Sequence, residues 1–122
     1  MGNLMYGDDV CLLYHISWQV LSPLLLNMFM QKSLVDILMN LSDEHGYNLE
    51  TVNVNQDTVD LVLGAKAILA PYDIVRTLKS SSSLLLIRQF DELRKYYHNN
   101  GRLWQPFCRI YTVSGERKDS DE

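Results

Sequence analysis

The side chains of this sequence best able to do chemistry are cations gathered late in the chain. Arg76, Lys79, Arg88, Arg94, Lys95, Arg102 and Arg109 fall within residues 76–109 against only Asp91 and Glu92, a local balance of +5. Such a stretch can face phosphates, or it can be the ordinary solvated surface of helices. Residues 1–75 carry Lys32 and Lys66 against nine acids, −7, and residues 110–122 add −2, so the whole chain carries −4. The two cysteines, Cys11 and Cys108, lie in apolar runs rather than in a C-x-x-C pair. They are expected to be buried free thiols in a reducing cytoplasm, not a disulfide or a zinc site. No metal-ligand spacing is present, and no cofactor is expected.

The elements that must position these groups follow from periodicity. With 122 residues, 47% hydrophobic and 21% charged, the chain is one domain able to bury a core. The longest apolar run, Leu24 to Met30, is broken by Asn27 and falls well short of the roughly 20 residues of a membrane span. Residues 1–9 are polar and acidic, an N-terminal extension without the basic start of a secretory signal. Val10 to Val20 alternates as a half-buried strand, with Val10, Leu12, Tyr14, Ile16, Trp18 and Val20 on one face and His15 on the other.

A helix is expected from about Leu24 or Asn27 to His45, stopped by Gly46. Tyr47 to Asn53 and Thr58 to Gly64 read as a hairpin turning through Asn55-Gln56-Asp57. After Pro71 two helical stripes follow, around Ile74, Val75 and Leu78 and from Leu84 to Leu93, with Ser80 to Ser83 expected as a joint or kink between them. Phe107 to Val113 reads as the last strand. The domain therefore spans residues 10–114, and the acidic residues 115–122 are expected to be a disordered tail. The order β-α-β-β-α-β is that of an α+β, ferredoxin-like fold, an antiparallel sheet with its helices on one face and the other face open.

Five segments along this frame carry a resemblance. They are Tyr14-His15-Ile16-Ser17-Trp18, the strand Asp57-Thr58-Val59-Asp60-Leu61-Val62, Ile74 to Ser83, Leu103-Trp104, and Thr112-Val113-Ser114-Gly115. In order and spacing over residues 10–115 they resemble the single-tyrosine HUH transposases of the insertion-sequence-200 type. The resemblance implies a ferredoxin-like domain that dimerises with the sheets of two protomers joined, and an ancestry in cutting and rejoining single-stranded DNA at hairpin-marked ends.

The same alignment of motifs departs from the family at its chemistry. The family's third strand carries two histidines two residues apart, which project on one face and hold a divalent metal against the scissile phosphate. Here those positions are Thr58 and Asp60, with His15 as a possible neighbour on the first strand. The family's nucleophile is a tyrosine on a helix beyond the last motif. In the sequence as given no tyrosine follows Tyr111, and Tyr96, Tyr97 and Tyr111 are read as packing residues.

The family's phosphate contacts are thinned as well. Leu21-Ser22-Pro23 stands in place of Lys-Tyr-Arg, and Ser81 in place of an arginine, while Lys79, Ser82 and Ser83 keep the register. Loss of about three cations lowers affinity for nucleic acid by roughly one to two orders of magnitude at moderate salt.

These residues lead to the expectation of a catalytically inactive homologue with no metal, a cytoplasmic homodimer serving as an interaction or regulatory module for a protein partner not yet named. The alternative is a protein that binds hairpin or single-stranded DNA weakly without cutting it. Its contacts would be Arg76, Lys79, Ser82 and Ser83, with Arg88 and Arg109 secondary. An enzyme of new activity built on His15 and Asp60 is the third and least favoured class.

Overall fold

In the computed structural model, residues 10–113 are described. The elements run β1 (Cys11–Val20), α1 (Met28–His45), β2 (Asn48–Val54), β3 (Thr58–Lys66), α2 (Pro71–Gln89), α3 (Asp91–Asn100) and β4 (Trp104–Thr112). The sheet order is β2-β3-β1-β4 with each neighbouring pair antiparallel, the ferredoxin-like arrangement expected from the sequence. Residues 1–9 and the whole of the expected tail, 115–122, lie outside the described residues.

Each boundary has a local cause. Asn27 caps α1, its Oδ1 accepting the Met30 N–H at 2.9 Å, so the helix begins at Met28 and the apolar residues before it belong to the connection. Gly46 ends α1 at φ +76°, a conformation that costs glycine little. The hairpin turn is held by Asn55, whose Oδ1 accepts the backbone N–H groups of Asp57 at 3.2 Å and Thr58 at 2.9 Å. Pro71 opens α2 in its first turn, where no N–H is needed.

The core lies between the sheet and the helices. Tyr14, Ile16, Trp18 and Val20 of β1 and Val59, Leu61, Leu63 and Ala65 of β3 are buried against Leu34, Leu38 and Leu41 of α1 and Ile74, Val75, Leu78 and Leu86 of α2. The apolar face of β1 is therefore covered within the chain and does not call for a second copy to shield it. Among the described residues, no helix is long and apolar enough to cross a membrane.

Three expectations are corrected. Ser80 to Ser83 form no joint, because α2 runs unbroken from Pro71 to Gln89. The hydroxyls of Ser80, Ser82 and Ser83 donate back to the carbonyls of Arg76 at 2.9 Å, Lys79 at 3.1 Å and Ser80 at 3.0 Å, so the serines are satisfied inside the helix. The break falls at Phe90, whose extended backbone separates α2 from α3. The cysteines are not buried: Cys11 is exposed and Cys108 half-buried. The last strand starts three residues early, at Trp104, because that indole is anchored to α2, its Nε1 donating to Lys79 O at 2.9 Å.

Candidate functional site

Two surfaces hold the residues singled out by the sequence. The first is the open face of the sheet. Residues paired across neighbouring strands share a face, and the register places Asp60 opposite Ser17, Ser17 opposite Arg109, Val62 opposite His15 and His15 opposite Tyr111. Since Ile16, Trp18 and Leu61 point into the core, these residues look the other way.

His15 and Asp60 meet there. His15 Nε2 donates to Asp60 Oδ1 at 2.6 Å, along the diagonal between neighbouring strands, with both side chains a little under half exposed. The Tyr111 ring stands 6.1 Å from the imidazole, tilted by 45°. At 56% exposed, Tyr111 is a surface ring on this face, whereas Tyr96 packs as expected and donates its hydroxyl to Leu21 O at 2.9 Å. Thr58 lies at the rim of a shallow depression of about 220 Å³ with Gln19, Phe107 and Arg109, and its hydroxyl donates to Asp57 Oδ1 at 2.9 Å.

Thr58 and Asp60 do not fit the divalent ion that the family resemblance implies. A divalent cation gathers several anionic or imidazole donors. Strand β3 offers one carboxylate already engaged by His15 and one hydroxyl turned to its neighbour. Among the described residues, no group of three or more His, Cys, Asp or Glu side chains comes together. As it stands, the His15 and Asp60 pair is a hydrogen-bonded acid and base on a solvated surface.

The second surface is a cleft of about 370 Å³ where α2, the end of α3 and the start of β4 converge. Arg76 and Lys79 of α2 line it together with Arg102, a cation that the family register had not singled out. Only its place in the basic stretch marked Arg102 in the sequence. The Arg76 guanidinium lies 5.2 Å from the centre of the Tyr72 ring and 3.9 Å from Asp73, a long and solvated ion pair.

Lys79 spans the cleft, Nζ donating to Gln105 O at 2.7 Å and Phe107 O at 3.3 Å. Burial holds its amine below the usual lysine range, Cys108 working against that shift and Arg102 adding to it. Of the two serines in the candidate set, Ser83 lines the cleft and Ser82 does not; both are buried and donate their hydroxyls to the helix backbone. Arg88 lies outside the residues lining the cleft, and Arg109 belongs to the open face.

Comparison with known proteins follows the same lines. A sequence profile described as "Transposase IS200 like" matches residues 11–120. A solved structure of a protein from Deinococcus radiodurans R1, assigned as a transposase, superposes with a TM-score of 0.72 at 26% identity, covering 97% of this chain and 91% of that one. The structure of a REP-associated tyrosine transposase bound to a REP hairpin superposes with a TM-score of 0.63 at 7% identity, over 99% of this chain and 67% of that one, a likeness of fold. No curated protein sequence matches. With the profile spanning nearly the whole chain and the sheet order in agreement, this protein belongs to the IS200-like transposase family.

Proposed function

We propose that this chain is a family member that does not cut DNA and serves instead as an interaction or regulatory module, working as a homodimer. The observation that carries the reading is the chemistry of β3. By the resemblance Thr58 and Asp60 stand where the family has two imidazoles, and the Asp60 carboxylate is held by His15 at 2.6 Å. Without a metal to polarise the scissile phosphate, the attack of any tyrosine on phosphorus loses its main electrostatic support.

The test is incubation of the full chain with single-stranded hairpin DNA and manganese or magnesium, followed by denaturing electrophoresis. No covalent protein–DNA adduct is expected, and an adduct overturns the reading.

Association is supported by the sheet edges. Strands β2 and β4 lie at its two margins, and β4 exposes Phe107. Light scattering at micromolar concentration is expected to give the mass of two chains, and the mass of one 14.1 kDa chain removes the dimer.

A second reading, weak nucleic-acid binding without cleavage, is favoured by the cleft, whose lining among the described residues includes Arg76, Lys79 and Arg102 and no carboxylate. It predicts an electrophoretic shift with hairpin DNA that fades steeply as salt is raised.

A further inference from the structure

We propose that the cleft between α2, α3 and β4 is a binding site for a phosphomonoester carried on a planar ring, the chemistry of a nucleoside monophosphate. The inference deepens the second reading above by naming what the cations would hold.

The first support is charge. Arg76, Lys79 and Arg102 line one concavity with no Asp or Glu among the described residues that line it, on a protein whose net charge is −4. Among the described residues Arg102 makes no ion pair, and Arg76 has only its long contact to Asp73. Like charges gathered around a partly desolvated space repel one another unless an anion joins them. Burial is the main reason that the Lys79 amine lies below its usual range, with Cys108 opposing that shift and Arg102 adding a smaller part.

The second support is shape. About 370 Å³ lies in the range of sites for small organic ligands and is far more room than a bare phosphate fills. Tyr72, Tyr97 and Trp104 supply ring surface on the walls. The Trp104 indole is fixed by its bond to Lys79 O and by an edge-on contact with Trp18, with ring centres 5.9 Å apart, so this wall is rigid before a ligand arrives. Arg76 and Arg102 offer planar donor forks to phosphate oxygens, while Lys79, with two donors committed to β4, contributes mainly charge.

The same chemistry has two sources, a free mononucleotide or the 5′-phosphorylated end of a strand, and the experiment separates them. Isothermal titration of the full chain with adenosine monophosphate, adenosine and inorganic phosphate is expected to show the monophosphate binding at least about tenfold tighter than either part alone. The Arg76→Gln and Arg102→Gln variants should each weaken it severalfold or more, while Thr58→Ala on the open face leaves it unchanged. A 5′-phosphorylated oligonucleotide that displaces the mononucleotide identifies a strand end as the source. Displacement by the free nucleotide alone identifies the small molecule. Absence of binding at millimolar nucleotide, or binding untouched in the folded Arg76→Gln/Arg102→Gln double variant, overturns the site. Neither result bears on cleavage, which the adduct experiment judges separately.

Discussion

The open sheet face and the cationic cleft come from the same fold but have fared differently. On the open face the strand pairing is intact, and the register still brings the first-strand histidine to the third-strand acid. On the proposed reading the difference there is one of residue chemistry, a hydroxyl and a carboxylate standing where the family resemblance implies a pair of imidazoles. In the cleft, cations cluster with no carboxylate among the described lining residues, and two contacts tie its walls together: buried Trp104 is fixed to α2, and half-buried Lys79 clamps two carbonyls of β4. Geometry of a sheet is set by its core face, so an open face can lose its chemistry at little cost to folding. Part of the cleft wall, Val75, Leu103 and Trp104, belongs to the core and has less of that freedom.

That contrast makes its largest prediction about stability. Trp104 is 5% exposed, and replacing it by Ala should cost about 3–5 kcal/mol by removing a large buried ring and the donor to Lys79 O. Tyr111 is 56% exposed on the open face, and Tyr111→Ala should change stability by less than about 0.5 kcal/mol. Urea denaturation of the two variants checks the ordering. Similar losses at both positions would mean that the open face is packed against something, a second copy being the first to test by varying protein concentration.

The division between legible and illegible residues follows the same physics. The strand alternation from Tyr14 to Val20, the helical spacing of Leu34, Leu38 and Leu41, and the Gly46 stop all reflect burial and backbone conformation, which leave a periodic mark in the sequence. The Ser80 to Ser83 run misleads, because serine's preference for turns is overridden when its hydroxyls can bond the preceding helical turn and Leu78 and Leu86 to either side are buried. The pairing of His15 with Asp60 was visible only as two residues on one face; their contact needed the antiparallel register. Arg102 joins Arg76 and Lys79 through the turn at Gly101, where φ is +80°, a tertiary approach across 26 residues that no local pattern encodes.

A smaller effect is expected on the open face itself. The His15 and Asp60 side chains are 43% and 44% exposed, so their hydrogen bond is screened and should contribute about 0.2–1 kcal/mol. A double-mutant cycle of His15→Ala and Asp60→Ala measured by chemical denaturation near neutral pH gives that coupling directly. A coupling of several kcal/mol would show that the pair is shielded from water in solution and would bring the open face closer to the cleft in character.

The smallest effect concerns the pH dependence of the cleft. The Lys79 amine lies below its ordinary value of 10.5 in the folded chain, chiefly through burial. Between the folded and the unfolded pKa the unfolded chain binds more protons, so this group makes the protein more stable as pH rises through that window toward 10.5. Tyr47 acts in the opposite sense. Burial raises its phenol above 10.0, so its contribution is complete below 10.0 and is lost as pH climbs through the folded value. The wild-type profile mixes the two, but Lys79→Met keeps the apolar stem and the Tyr47 contribution while removing the amine. The lost bonds to Gln105 O and Phe107 O then enter as an offset that varies little with pH. The stability of the wild type relative to Lys79→Met should increase as pH is raised from about 7 to about 10.5, by an amount reduced by solvent because the amine is less than half buried. Saturating nucleoside monophosphate should flatten the rise, since an anion beside the amine restores its preference for the charged form. A flat difference without ligand would mean that water reaches the Lys79 amine freely in solution, and the contrast with the open face would then rest on the packing of Trp104 alone.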